Sequence, residues 1–194
     1  IKGIVDFRKN VRPAYRETFA RLALGQSPDS LLFACSDSRV AVNLFASTDP
    51  GDLFVVRNVG NLVPPCDKRG VSTSGETEGA AIEFALTNLK VSSIIVCGHS
   101  ECGAMQALIQ GRKHITSPNL KAWLRHGEAS WSKLGDFHAL GLSEHNKLSQ
   151  ANVLQQLEHL KSYPVVRERV ADRSLQIYGW WFELSQAEVY AFEE

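Results

Sequence analysis

Apolar positions along the chain group into two kinds of pattern. From Asp6 to Leu24 the apolar residues Val11, Tyr15, Phe19, Leu22 and Ala23 recur at helical spacing, with Gly25 and Pro28 just beyond, which predicts a helical arm. Leu31–Cys35, Leu53–Val56 and Ser93–Cys97 are short apolar runs between polar turn residues, and they read as buried parallel strands. Between the last two, Ala80, Ala81, Phe84, Ala85 and Leu89 form a helical stripe, so the order there is strand, helix, strand. Ala104–Ile109 reads as helix and 118–138 as helical or irregular. Ser143–Ser162 is a clear helix, with Leu148, Ala151, Leu154, Leu157 and Leu160 on one face. Pro164 suits the first turn of a helix over Val165–Asp172, and Ser174–Glu183 reads as a late strand. The expected fold class is α/β: a mainly parallel β-sheet flanked by helices, with an N-terminal helical arm.

The chain has 194 residues, 44% hydrophobic and 22% charged, which suits one domain over 1–194: an arm over 1–25 and an α/β core with a helical C-terminal part over 26–194. Basic and acidic residues number 21 each, so no charge surplus points to nucleic acid. No apolar run approaches the roughly 18 residues needed to span a bilayer. The chain starts at Ile1 rather than Met, which leaves room for an upstream targeting segment. Cytoplasm or an organelle stroma or matrix is the expected compartment, because Cys35, Cys66, Cys97 and Cys102 are too few for a disulfide-stapled fold of this length.

The first strand ends in Cys35-Ser-Asp-Ser-Arg39 and the third in Gly98-His-Ser-Glu-Cys-Gly103. Ligands gather at the carboxyl ends of strands in open α/β sheets, so the two segments can meet in one crevice. Cys35, His99 and Cys102 would then offer two thiolates and an imidazole, a donor set suited to Zn²⁺ with a fourth position open. Taken singly, each cysteine reads equally as a small buried hydrophobe. Cys97 reads as core by strand alternation, and Cys66 as a free surface thiol. Asp37 and Arg39 read either as a solvated pair or as groups facing the metal site.

Cys35-Ser-Asp-Ser-Arg-Val40, Arg57-Asn-Val-Gly-Asn61 and His99-Ser-Glu-Cys-Gly-Ala104, in that order, resemble the β-class carbonic anhydrases. The similarity runs from Gln26 to Met105, returns at Gly179-Trp-Trp181, is weakest over 112–145, and is closest to the plant-type branch. It implies that Cys35, His99 and Cys102 hold one zinc per chain. It also implies that Asp37 and Arg39 are the ionic pair beside the metal-bound water, and that zinc-bound hydroxide attacks CO₂ to give bicarbonate and a proton. Gln26, Phe54, Val59 and Phe84 fall at its substrate-binding positions, although each reads equally as an exposed loop or plain core residue. A homodimer or homotetramer with the active site at the subunit interface is implied as well. Leu32 stands where a bicarbonate-inhibited subgroup has tryptophan, so inhibition of that type is not expected, and Arg57 is left to hold Asn58, neighbouring loops or the partner subunit. His114, His126, His138, His145 and His159 are all candidates to carry away the proton. Two other readings are a hydrolase of carbonyl sulfide or carbon disulfide on the same zinc, and a non-catalytic zinc module closed by Asp37 or Cys66.

Overall fold

A computed structural model describes residues 1–136 and 141–192, so His138 lies outside the described residues. The arm begins earlier than the periodicity predicts: helix α1 (Lys2–Asp6), a wider π-type turn (Phe7–Val11) and α2 (Arg12–Leu22) follow one another without a break. Pro13 explains the wide turn. Its ring has no N–H and crowds the carbonyl four residues back, so the winding relaxes just before it. No residue of these three segments is buried, and Phe7, Val11 and Phe19 stand exposed.

The sheet has five strands in the order β2-β1-β3-β4-β5, where β1 is Ser30–Cys35, β2 Leu53–Asn58, β3 Ser93–His99, β4 Gln176–Glu183 and β5 Glu188–Ala191. The first four are parallel and β5 returns antiparallel to β4. β5 is absent from the sequence-based expectation because it is a short, largely exposed edge whose pattern carries little apolar signal. From β1 the chain steps through α3 (Val42–Phe45) to β2 on one side, and later to β3 on the other. Strand order therefore reverses at β1 and β3, which opens a crevice at their carboxyl ends.

Both faces of β1 are covered. Leu31 and Phe33 pack with Ile82, Leu86, Leu157, Leu160 and Val166, while Leu32 and Ala34 pack with Val40, Val42, Cys97 and Phe182. Helix α4 (Thr77–Phe84) runs on through a wide turn to Leu89 and stops at Lys90, whose φ is +59°. Helices α5 (Gly103–Ile109) and α6 (Pro118–Trp123) and a 3₁₀ run over Leu124–Asp136 surround the crevice. Helix α7 (Glu144–Ser162) lies against β3 and β4, and α8 (Pro164–Ala171) follows with Pro164 in its first turn. α7 buries more than its apolar stripe, since Asn146, Ser149, Asn152 and Gln156 are buried too.

Candidate metal centre

Parallel register brings the two sequence-distant segments together. Ala34 lies opposite Cys97, so Cys35 at the end of β1 and His99 at the end of β3 emerge side by side. Cys102 follows one turn later, at the start of α5. One ligand atom from each of Cys35, His99 and Cys102 lies within 4.8 Å of the others, and all three residues are buried.

Each donor is aimed by its surroundings. The ring Nδ1 of His99 lies 2.8 Å from the Ser100 carbonyl oxygen, which can only accept, so the proton sits on Nδ1 and Nε2 keeps its lone pair. That Nε2 is buried without a hydrogen-bond partner among the described residues. Leaving such an atom unpaired costs about 1–3 kcal/mol, and a metal ligand role removes that cost. The Gly60 N–H donates to Cys35 Sγ at 3.4 Å. The hydrogen bond from Cys102 to Cys35 favours the Cys35 thiolate against the opposing effect of burial, while the same contact and burial push the Cys102 thiol up. Two such thiols and an imidazole fit Zn²⁺, whose charge replaces the proton the pair would otherwise share.

Asp37 and Arg39 form a two-pronged pair at the mouth. Arg39 Nε donates to Asp37 Oδ1 at 2.9 Å and Nη2 donates to Oδ2 at 2.7 Å. The Arg39 contact holds the Asp37 carboxyl well below the usual carboxylate range, against the opposing push of burial. Oδ2 stands 4.0 Å from His99 Nε2, on the metal side of the pair. Of the options for Arg57, namely Asn58, neighbouring loops or the partner subunit, the structure shows a neighbouring loop. Arg57 donates to the Cys35 carbonyl from Nε and Nη2 at 3.1 and 2.9 Å, and to the Asp37 carbonyl at 2.7 Å, so it ties down the loop carrying both residues.

The remaining candidates divide. Val59 borders the cluster through its neighbours Asn58, which pairs with Cys35, and Gly60; its carbonyl accepts the Trp123 indole N–H at 2.7 Å. Phe54 pairs with Leu31, four residues before Cys35, so it lies about 13 Å up the strands, and its ring meets that of Phe84 at 5.8 Å. Phe84 and Gln26 are exposed. Within one chain these three do not converge on the cluster. Cys97 is buried, as expected, and burial pushes its thiol up to about 12. Cys66 is a free thiol, as expected, but half-buried rather than at the surface, and its Sγ donates to the Ser162 carbonyl at 3.0 Å.

The periodicity of α7 concealed its part in the site. Ser149 donates to the His99 carbonyl at 2.7 Å and Asn152 to the Gly60 carbonyl at 3.1 Å. Gln156 accepts from Val63 N–H at 2.8 Å. In sequence these polar residues read as the ordinary solvent face of an amphipathic helix, so no pattern marked them.

A sequence model of the carbonic anhydrase family matches residues 30–189. The carbonic anhydrase of Synechococcus elongatus is 40% identical to this chain over 97% of it and 69% of that protein. The structure of the β-carbonic anhydrase CcaA superposes with a TM-score of 0.89 at 37% identity, over 99% of this chain and 92% of that one. A tetrameric β-carbonic anhydrase of Sordaria macrospora aligns with a TM-score of 0.83 at 26% identity, over 100% and 94%. Fold, buried Cys-His-Cys cluster and these similarities agree, and the chain belongs to the β-class carbonic anhydrases. Its reaction is the zinc-dependent, reversible hydration of carbon dioxide.

Proposed function

We propose that Cys35, His99 and Cys102 hold one Zn²⁺ per chain and that Asp37 and Arg39 carry CO₂ hydration beside it. The observation that carries this reading is the buried His99 Nε2, without a hydrogen-bond partner among the described residues, facing two thiols on one side and an Arg39-locked carboxylate on the other. When bound, zinc supplies the Lewis acidity that makes water a nucleophile near neutral pH. Two thiolate ligands offset the charge of the ion and weaken that acidification, so protein groups must compensate. Asp37 Oδ2 accepts a hydrogen bond from the attacking oxygen and keeps its lone pair turned toward the carbon of CO₂. Arg39 keeps Asp37 ionised and fixed in direction. Bicarbonate leaves with one proton released to solvent.

Val59 borders the substrate space of its own chain, while Gln26 and the Phe54–Phe84 pair serve the site across a contact between two copies. The exposure of Gln26 and of Phe84, whose ring meets the half-buried Phe54, supports this, as does the uncovered apolar side of the arm on the same molecule. A homodimer or a pair of dimers is the assembly that follows, with CO₂ and bicarbonate as the small-molecule partners. Thiolate donors that must stay reduced suit a cytoplasm or an organelle stroma or matrix. Hydrolysis of carbonyl sulfide or carbon disulfide is not favoured, since the relatives are carbonic anhydrases. A closed structural zinc module is disfavoured by Asp37, which is engaged by Arg39, and by Cys66, which lies outside the cluster.

Stopped-flow CO₂ hydration above pH 8 on metal-quantified protein tests the reading. Wild type should be fast with about one zinc per chain, and Cys35→Ser should lose zinc and activity together. Zinc-free wild-type protein with full activity would overturn it. For the shared site, mixing inactive Cys35→Ser with a weakened Phe54→Ala should give hybrids more active than either parent.

A further inference from the structure

Glu101 sits between His99 and Cys102 with a left-handed backbone, φ +55°. A non-glycine residue stays in that region only where its surroundings fix it. Asn146, in the first turn of α7 and only 7% exposed, supplies two of the fixings. Its Oδ1 accepts the Glu101 backbone N–H at 2.7 Å, and its Nδ2 donates to the Glu101 carboxylate at 3.0 Å. The carbonyl of the same Glu101 accepts a hydrogen bond from Arg39 Nη2 at 3.0 Å, and that nitrogen is the one that donates to Asp37 Oδ2. A continuous chain of hydrogen bonds thus runs from a buried helix residue to the catalytic carboxylate.

We propose that Asn146 is a positioning residue for CO₂ hydration: by clamping Glu101 from two sides it aims the carbonyl that holds Arg39 against Asp37. This rests on the reading of Asp37 and Arg39 as the working pair. Asn146 touches neither substrate nor metal ligand side chain, and its effect passes through Arg39. Removing the clamp frees the Glu101 peptide to rotate, so Arg39 loses one of its two anchors and Asp37 loses its fixed direction.

The test is a double-mutant cycle on zinc-loaded enzyme, with zinc content and melting temperature measured alongside. Asn146→Ala should keep its zinc and lower kcat/KM about tenfold, the low end for groups that orient a metal site. In the Arg39→Ala background the same change should cost nothing further, because its route is already cut. Unchanged kcat/KM in Asn146→Ala, or losses that multiply in the double variant, would overturn the proposal. If Asn146→Ala does not fold, Asn146→Asp sets two carboxylates face to face and should be impaired. Adding Glu101→Gln restores a donor–acceptor pair in the reverse sense and should recover most of the activity; no recovery overturns the proposal. Full activity in Arg39→Ala would instead refute the role of the pair itself, and the positioning role with it.

Discussion

Asp37 Oδ2 stands 4.0 Å from His99 Nε2, too far for the two side chains to hydrogen-bond each other directly. Arg39 enforces that separation by holding both carboxylate oxygens. Asp37→Asn keeps the shape and removes the charge that makes the pair strong. It should retain zinc and lose roughly 10–100-fold in CO₂ hydration. Because its folded-state titration is depressed, the contribution of Asp37 to stability is present above the ordinary carboxylate range and is lost as pH falls below it. A urea series at pH 7 and pH 3 should therefore show a smaller change in Asp37→Asn than in wild type.

Arg57 lies outside the metal cluster yet donates three hydrogen bonds to the carbonyls of Cys35 and Asp37. Arg57→Ala leaves those carbonyls without their charged donor, at a cost of about 1.5–3 kcal/mol. Denaturant unfolding should show that loss, and zinc should leave faster to a chelator because the Cys35 loop is no longer tied down. Unchanged stability and unchanged metal loss would show that the loop holds its shape without Arg57.

Gly98 has no room for a side chain. A Cβ there would fall 2.6 Å from Val153 Cγ2 and 3.3 Å from the Ser149 carbonyl. Val153 is β-branched and buried, so it cannot swing aside. Gly98→Ala should destabilise by about 1–3 kcal/mol through overpacking and displace His99, the next residue. Adding Val153→Ala should return part of the lost melting temperature, whereas a simple sum of the two losses would mean that the strand, not the contact, is at fault.

How far the chain could be read without coordinates depends on where each signal lives. β1, β2 and β3 are buried on both faces or bounded by sharp turns, so their apolar runs announce them, and the register that joins Cys35 to His99 follows from placing them side by side. The Cys35-His99-Cys102 cluster was legible because its three residues lie at or just beyond the ends of β1 and β3. β5 was not, since an exposed edge strand has no pattern to show. The arm was read four residues short because Ile4 and Val5 precede the proline that alters its winding. The polar residues of α7 were illegible for another reason. Asn146, Ser149 and Asn152 look like an ordinary solvent face, and only tertiary packing turns them toward the backbone of the site loops. Phe54, Phe84 and Gln26 show the limit of a single chain, because their distance from the cluster could not be read from spacing.

His126 gives the fold an acid weakness that is separable from the metal. It is 6% exposed, its Nε2 has no hydrogen-bond partner among the described residues, and its ring meets the edge of Trp123 at 5.7 Å. Burial, reinforced by the neighbouring charge of Arg125, holds its imidazole down at about 4. The unfolded chain takes up a proton on this ring as pH falls below about 6.5, and the folded chain resists until near 4. Stability is therefore whole above that upper value and is lost as pH falls through the window between the two, by about 2–3 kcal/mol in all. His159, also shifted down by burial, adds to the slope in the same direction. His126→Gln should flatten, without abolishing, the fall in unfolding free energy between pH 6.5 and pH 4 when both proteins carry the same zinc content. Parallel pH profiles for the two proteins would mean that His126 takes up its proton equally in both states, and that its burial does not govern the acid limit of the fold.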